Sequence, residues 1–349
     1  MRQPYTKKQV IDTIERRSTE GIVPTFLCLW WGDGLEEKYG KPALTRLEKA
    51  YPDDILGVFY DAPGEAVSAT GNPEYRWGFR DYSAKETHSI GKTHVLLEDW
   101  DDLDEFVRHL PDPMEPGTFD FVKQTVEAAG DRYVLGCFWR LFHERFWSIR
   151  GMENLMLDYY DAMPQLKKLG SILLEFYFRV IDRFSQCGVD GIFTSDDLGH
   201  QTSLMISPSV FRELYFPLYK ELIGYVHSKG MHFFLHSCGD NTLIMDDLIL
   251  AGVDVFHPIQ AGCMDYQLTA KQYGGKLSFL YGIDVQHLLP EGTPRQIHDS
   301  IVEVAREFRR LNGGLLFASG NGIMPDTSLE NIEAMLNTTH HINRFIQAE

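Results

Sequence analysis

The chain has 349 residues, of which 44% are hydrophobic, and it carries a formal net charge of −17. This length and hydrophobic content provide for a large buried core, in one large domain or two ordinary ones. An acidic chain repels phosphate backbones and anionic lipid headgroups, so neither nucleic acid nor a membrane surface is an expected partner.

The N-terminal segment is charged and has the spacing of an amphipathic helix, without the apolar core of a signal peptide. No apolar run reaches the roughly 20 residues that a transmembrane helix requires. We therefore expect a cytoplasmic protein. Its five cysteines are spread thinly along the chain, which does not indicate a disulfide framework.

Apolar, β-rich runs recur along the chain, and helical patterns lie between many of them. Glycines close two of these helical stretches, at Gly188 and Gly230. Apolar strands that alternate with helices predict a parallel sheet covered on both faces, and eight such units predict an α/β fold, the (β/α)8 TIM barrel. A doubly wound sheet is disfavoured because no glycine-rich turn follows the first strand. The eight predicted strands occupy residues 23–31, 55–61, 133–139, 191–197, 232–239, 255–260, 277–284 and 315–322.

Two parts of the chain fall outside this repeat. A helix precedes the first predicted strand, and residues 74–120 are predicted as an inserted hairpin or lobe after the second. Within that insertion, residues 94–100 have the pattern of a further strand. We predict that residues 1–349 form a single barrel domain that carries this insertion.

The predicted barrel places its active site at the C-terminal ends of the strands. The acidic pair Asp196–Asp197 must be solvated, paired or metal-bound at such a position. Alternatively, the pair caps the following loop and forms a salt bridge with Arg212. The candidate site residues at the barrel mouth are Trp30, Trp31, Tyr60, Trp139, Asp196, Asp197, His236, Cys238, His257, Gln260, Asp284 and Asn321.

His236 and Cys238 form the strongest pair among these candidates. They are two residues apart at a strand end, so both side chains project from the same face. Imidazole and thiolate are ligands that zinc prefers, and a zinc site needs at least three protein ligands. The remaining ligand must come from another strand, and the candidates are Asp196, Asp197, His257, Cys263 and the polar end of the eighth strand.

From about residue 150 to residue 335, the sequence resembles the uroporphyrinogen decarboxylase superfamily, in particular its corrinoid-linked methyltransferase branch. The resemblance implies a TIM-like barrel, and proteins of this superfamily often form homodimers. The matching blocks are DDLGHQTSLMISPSVFRELYFPLYKEL, HSCGD, AGVDVFHPIQ, YGIDVQHLLPEGTP and GGLLFASGNGI.

Decarboxylases of this superfamily bind substrate propionates through an arginine-rich N-terminal motif. The corresponding segment here, CLWWGDGLEEKYG, has no arginine and carries Asp33, Glu36 and Glu37. A substrate with many carboxylates needs cationic partners. Uroporphyrinogen decarboxylase, or a related metal-free decarboxylase using Asp196 or Asp197, is therefore the alternative interpretation. A third interpretation is a binding protein that has the same barrel but no catalytic activity.

Methyltransferases of the superfamily that act between a corrinoid and a thiol bind zinc through H-x-C and a distant cysteine. His236 and Cys238 match the first two ligands, and Asn321 stands near the place of the third. The lost thiolate is expected to leave more positive charge on the metal. This favours zinc as a Lewis acid that polarises an oxygen, as in the corrinoid-linked O-demethylases.

The resemblance therefore implies a methyltransferase that moves a methyl group from a small substrate to a corrinoid supplied by a partner protein. The aromatic residues at the mouth suit a methoxyaromatic substrate. Zinc is expected at His236 and Cys238, with Asp196, Asp197 and Asp284 as catalytic residues. The residues expected to bind substrate are Trp30, Trp31, Tyr60, Trp139, His257, Gln260 and Asn321.

Overall fold

The computed structural model describes residues 2–18, 20–27, 30–60, 95–108, 110–310 and 314–346. Its strands pair in parallel and in chain order, so they form one curled sheet of the TIM-barrel type. The strands described are β1 (Ile55–Phe59), β2 (Tyr133–Phe138), β3 (Gly191–Ser195), β4 (His232–His236), β5 (Val255–His257), β6 (Ser278–Ile283) and β7 (Leu315–Ser319).

Helices follow most strands and cover the outer face of the sheet. The longest, α8, has 25 residues and ends where Gly188 adopts a left-handed conformation. None of the helices in the described ranges is long and apolar enough to cross a bilayer. The helices are α1 (Lys7–Ile14), α2 (Leu35–Tyr39), α3 (Lys41–Ala50), α4 (Leu103–Arg108), α5 (Asp120–Ala128), α6 (His143–Arg150), α7 (Met152–Asp161), α8 (Met163–Cys187), α9 (Pro208–Val210), α10 (Phe216–Ser228), α11 (Met245–Ala251), α12 (Tyr266–Tyr273), α13 (Leu288–Glu291), α14 (Pro294–Arg310), α15 (Leu329–His340) and α16 (Ile342–Ile346).

The first predicted strand, residues 23–31, does not form a regular strand over the residues described. Its pairing is limited to isolated bridges, such as the one between Thr25 and Phe317 of β7. It still contacts both edges of the sheet. The N–H of Phe26 donates to the Phe317 carbonyl (2.8 Å), and the Thr25 carbonyl accepts from the N–H of Ile55 in β1 (3.2 Å). The described residues of this stretch, 23–27 and 30–31, are called the closing segment, and they take the place of the first predicted strand.

Two adjacent aspartates explain why the closing segment needs no regular ladder. Both carboxylate oxygens of Asp53 accept from the N–H of Leu27, at 2.8 and 2.9 Å. The fully buried Asp54 accepts from the N–H of Thr25 at 2.9 Å and from the Arg2 guanidinium at 2.8 and 2.9 Å. These carboxylates satisfy backbone donors that would otherwise be buried without a partner.

The barrel has two apolar layers. Inside the sheet, the core contains Trp30, Phe193 and Phe234, while a larger core fills the space between the sheet and the helices. The buried polar residues His236 and His257 lie at the C-terminal ends of β4 and β5. The sheet therefore has an apolar interior and a polar mouth, as expected for a barrel enzyme.

The predicted insertion is described only in part, because residues 61–94 lie outside the described ranges. The strand predicted at residues 94–100 is absent over residues 95–100. Instead, the N–H groups of Leu96 and Leu97 both donate to the Ile149 carbonyl of α6, at 2.8 and 3.0 Å. Both leucines are buried in the outer core, so this part of the insertion packs directly against the barrel.

We predict that Asp54→Ala lowers the free energy of unfolding by about 3 kcal/mol, because it leaves the Thr25 N–H and the Arg2 guanidinium without their acceptor. Urea denaturation followed by circular dichroism measures the change. The matched control is Asp104→Ala, since Asp104 pairs with Lys168 but its side chain is 78% exposed. Asp104→Ala should lower the free energy of unfolding by about 0.5 kcal/mol or less. Equal losses in the two variants would contradict the role of Asp54.

Candidate metal centre and adjoining pocket

Three potential metal ligands from the end of β4 and the loops after β3 and β4 meet at the barrel mouth. One donor atom each from Asp197, His236 and Cys238 lies within 4.8 Å of the others. Nε2 of His236 is 3.3 Å from Sγ of Cys238 and 3.6 Å from Oδ1 of Asp197. The sequence analysis left the third ligand open, and the structure brings Asp197 to this position.

The loops after β3 and β4 are held together backbone to backbone, which places Asp197 beside Cys238. The Cys238 N–H donates to Oδ1 of Asp197 at 2.8 Å. Gly239 has a left-handed backbone (φ +81°), and a Cβ on it would lie only 2.3 Å from the carbonyl carbon of Gly199. A side chain at Gly239 would therefore separate the two loops and the donors they carry.

The two separations from Nε2 of His236, 3.3 Å to Sγ of Cys238 and 3.6 Å to Oδ1 of Asp197, are those of ligands around a zinc ion. With Zn–N bonds of about 2.0 Å and Zn–S bonds of about 2.3 Å, neighbouring ligands of a tetrahedral site lie roughly 3.5 Å apart. Burial, followed by the charge of Asp197, raises the pKa of the Cys238 thiol, whereas burial lowers the pKa of His236. Three protein ligands leave one position for an exogenous ligand, which is the pattern of catalytic zinc sites.

Asp197 also changes the charge expected at the metal. The thiolate missing at Asn321 predicts more positive charge on a bound metal. If Asp197 binds the metal, one histidine, one thiolate and one carboxylate would carry the same formal charge as one histidine and two thiolates, and the extra positive charge would not arise. The difference lies in donor type, since a carboxylate is harder than a thiolate and suits oxygen chemistry.

Asn321 contacts the thiol without joining the ligand set. Its Nδ2 donates to Sγ of Cys238 at 3.7 Å, and its Oδ1 accepts the N–H of Gly322 at 2.7 Å. Cys263, the other candidate ligand in a neighbouring loop, does not belong to the group of donor atoms that meet at Asp197. The trio of Asp197, His236 and Cys238 therefore comes only from the C-terminal end of β4 and the loops after β3 and β4.

His257 lies behind His236 and not in the pocket, although the sequence analysis assigned it to substrate. It is fully buried. Its Nδ1 is 2.7 Å from Nδ1 of His236, and its Nε2 is 3.0 Å from the carbonyl of Ser319. Both ring nitrogens of His257 are therefore used within the protein.

Asp196 and Asp197 face different surroundings, and only Asp197 reaches the trio. Asp196 is fully buried and accepts the Tyr219 hydroxyl at 2.6 Å. It also accepts backbone N–H groups at the start of α6, including that of Glu144 at 2.8 Å. Burial raises the pKa of Asp196 to about 6, against the lowering effect of these hydrogen bonds. Asp196 thus anchors the start of α6 beneath the site.

Glu144, in the first turn of α6, is a residue that the sequence analysis missed. Its carboxylate accepts the hydroxyl of Ser195, the last residue of β3. Burial, and then the charges of Asp197 and Asp196, raise the pKa of Glu144 to about 8. Glu144 therefore lies close enough to the trio for the charge of Asp197 to act on it. The sequence shows only an acidic residue early in a helix, which is too common a signal to single it out.

A pocket of about 580 Å³ opens beside Cys238. Two glycines lie in its wall, Gly282 in β6 and Gly320 just after β7, and they approach so closely that a Cβ on Gly282 would lie 2.6 Å from Cα of Gly320. Asp284 lies in its wall and accepts the N–H of Gln286 at 2.8 Å. The lining residues are Cys238, Gln260, Ala261, Gly282, Asp284, Val285, Gln286, Gly320, Asn321, Gly322, Met324 and Asp326.

The four predicted aromatic residues do not line this pocket together. Trp139 is half-buried, and its ring centroid is 6.2 Å from that of His236. Trp30 is buried in the barrel and stacks on His257 with centroids 5.0 Å apart. Trp31 turns outward and donates to Glu48 at 2.6 Å.

Tyr60 also lies away from the mouth. It is 2% exposed and stacks on Phe119, with ring centroids 4.5 Å apart. Phe119 belongs to the core between the sheet and the helices, so Tyr60 supports the outside of the barrel. Among the four aromatic candidates, only Trp139 is partly exposed and close to the trio.

The family model described as uroporphyrinogen decarboxylase (URO-D) matches residues 92–342. The chain belongs to this family. A methylated-thiol–coenzyme M methyltransferase of Methanosarcina mazei is 26% identical over 133 residues, which is 38% of this chain and 33% of that protein. The match thus spans about a third of that relative's length.

A solved structure, a methyltransferase from Methanosarcina mazei, has the same fold as this uroporphyrinogen decarboxylase family member. The two superpose over 97% of this chain and 99% of the other, with a TM-score of 0.67 and 16% sequence identity. The family resemblance inferred from the sequence is confirmed. The barrel class is confirmed as well, with the closing segment in place of one strand.

We predict that this family member, purified from zinc-supplemented medium, holds stoichiometric zinc, and that His236→Gln, Cys238→Ser or Asp197→Asn each removes most of it. Each variant deletes one of the three donors that fit a tetrahedral ion. Elemental analysis and competition with a chromophoric chelator measure zinc content and affinity. Cys263→Ser is the matched control and should keep its zinc. Loss of zinc in Cys263→Ser, with retention in Cys238→Ser, would contradict this ligand assignment.

Proposed function

We propose that the protein is a zinc-dependent methyltransferase that moves a methyl group from a small-molecule donor to a corrinoid carried by a partner protein. The observation that carries the proposal is the trio of Asp197, His236 and Cys238 beside a pocket of about 580 Å³. Similarity to a methylated-thiol–coenzyme M methyltransferase of Methanosarcina mazei supports the reaction class. The corrinoid partner is proposed from the family resemblance in the sequence.

The donor set supports chemistry on an oxygen-bound methyl group. Zinc held by His236, Cys238 and Asp197 would supply a Lewis acid for the donor's heteroatom. Asp197 offers a carboxylate as the third donor, where a second thiolate would favour thiol chemistry. Near Asn321 the family resemblance implies a cysteine, and here the Asn321 amide donates to Sγ of Cys238. After the methyl carbon leaves, the donor oxygen takes up a proton. The carboxyl of Glu144, with its raised pKa, is positioned near the trio to hold one.

The two sides of the mouth differ in polarity, which supports a donor with one flat apolar face. On one side, the half-buried rings of Phe59 and Trp139 lie 5.4 Å apart. On the other, Gln260, Asp284 and Asn321 line the pocket. A methoxyaromatic donor would place its ring against Trp139 and its polar substituents toward the amides and carboxylates.

The charge of the pocket supports a neutral or cationic donor. Asp284 and Asp326 belong to the lining, whereas no lysine or arginine is among the described lining residues. An anionic donor would be repelled by these carboxylates, and a polycarboxylate tetrapyrrole more strongly still. The alternative of a metal-free decarboxylase acting on such a substrate is therefore less well supported than methyl transfer.

A matched series of donors tests the proposal. Vanillate, guaiacol and vanillylamine share a methoxyphenol ring but carry a negative, no and a positive side-chain charge. With chemically reduced cobalamin as the acceptor, the zinc-loaded protein should demethylate guaiacol and vanillylamine with higher kcat/KM than vanillate. Asp197→Asn and Cys238→Ser should abolish transfer, measured by the cobalamin absorption spectrum and by the demethylated product.

Asp326→Asn separates charge selection from the reaction itself. Asp326 is exposed at the pocket rim. Removing its charge should lower the ratio of kcat/KM for vanillylamine to kcat/KM for vanillate roughly threefold. Asp299→Asn, on the outer face of α14, removes the same charge and should leave the preference unchanged. If no donor is demethylated by the zinc-loaded protein, and carbon dioxide is released from vanillate instead, the decarboxylase alternative is correct.

We predict that Asn321→Cys strengthens zinc binding about tenfold or more, because it adds a thiolate next to Cys238, where Nδ2 of Asn321 now lies 3.7 Å from Sγ. The additional soft ligand should lower demethylation of guaiacol and raise transfer to or from thiols. Zinc competition and the two transfer assays measure these effects. Asn321→Ser, which adds no thiolate, is the control. An unchanged donor preference in Asn321→Cys would show that Asn321 does not set the chemistry.

A further inference from the structure

We propose that His257 is a positioning residue that holds His236 in the tautomer whose Nε2 is free to bind a metal, before any metal is present. The inference concerns the site of the proposed function. Its readouts are proton positions and metal affinity, so it can fail or succeed independently of methyl transfer.

The direction of the hydrogen bonds follows from a backbone carbonyl. The oxygen of Ser319 can only accept, so the contact of 3.0 Å requires a proton on Nε2 of His257. A neutral His257 then offers the lone pair of Nδ1. The contact of 2.7 Å between the two Nδ1 atoms requires one donor, which must be Nδ1–H of His236. The remaining lone pair of His236 lies on Nε2.

The surroundings of His257 favour its neutral form. The ring is fully buried and packs against Trp30 and Phe193, at centroid distances of 5.0 and 5.8 Å. In the described part of the chain, the His257 ring is hydrogen-bonded to His236 and to the Ser319 carbonyl. Neither partner is a carboxylate that could balance a positive charge. A charged imidazolium in this place would be desolvated without a counter-charge.

The same arrangement aims Nε2 of His236 at the other two donors. Nε2 lies 3.3 Å from Sγ of Cys238 and 3.6 Å from Oδ1 of Asp197. Trp30 stacks on both histidine rings, with centroids 5.9 Å from His236 and 5.0 Å from His257, and so fixes the ring planes. The chain of bonds therefore joins β4, β5 and β7 and presents one nitrogen lone pair to the metal position. Such outer partners of a metal-binding histidine commonly raise metal affinity.

The direct test is the tautomer of each histidine in the full-length protein after zinc removal by a chelator. Long-range ¹H–¹⁵N correlation NMR should show a proton on Nδ1 of His236 and on Nε2 of His257. The same His236 tautomer should persist in the zinc-loaded protein. A proton on Nε2 of His236 in the metal-free protein would overturn the proposal, whatever the activity.

Variants give a second readout. His257→Phe keeps a ring for Trp30 but removes both nitrogens, and it should weaken zinc binding roughly 10- to 100-fold. His257→Gln keeps one donor and one acceptor and should recover part of that loss. His340→Phe is the matched control, because His340 is also buried, at 3% exposure, but packs against Tyr51. If His257→Phe is folded and binds zinc within twofold of the wild type, the proposal is wrong. If His257→Phe does not fold, the proposal is tested by the zinc affinity of His257→Gln and by the histidine tautomers of the wild-type protein.

Discussion

The hydrogen bond between His236 and His257, covered by Trp30, is the interaction on which the candidate site depends. It ties the ends of β4 and β5 together inside an apolar barrel, and it orients the one imidazole that faces Asp197 and Cys238. Trp30 belongs to the closing segment, which lies between the edges of β7 and β1. The geometry of the site is therefore coupled to closure of the barrel, and closure depends in turn on buried carboxylates in place of a strand ladder.

Backbone contacts between loops have a comparable part in forming the site. Gly199 and Gly239 allow the loops after β3 and β4 to touch, which brings a carboxylate to a thiol and an imidazole. Gly282 and Gly320 lie in the wall of the pocket next to Cys238. Both pairs of glycines thus allow close backbone approach, one between the loops that carry the donors and the other in the pocket wall.

The sequence predicted most of the sheet, because parallel strands buried on both faces are long apolar runs that end in polar residues. It was wrong about residues 23–27 and 30–31, which have the composition of a strand but form only isolated bridges. The carboxylates of Asp53 and Asp54 accept from backbone N–H groups of this stretch that lie more than 20 residues away along the chain, and no local pattern reveals these bonds. The same limit explains why Tyr60 and Trp31 were wrongly predicted at the mouth. An aromatic ring can lie on either side of a barrel wall, and only the contacts with Phe119 and Glu48 show that these two lie on the outer side.

By itself, the sequence determined the barrel class, the family and the pairing of His236 with Cys238, because each follows from periodicity or from a short motif. Only the tertiary structure showed that Asp197, and not Asp196, lies beside His236 and Cys238, since neighbouring residues point in different directions at a strand end. It also placed His257 behind His236 and outside the pocket lining, and it placed Glu144 beside the end of β3. These assignments depend on contacts between distant parts of the chain, and such contacts form only when the strands and their loops meet at the barrel mouth.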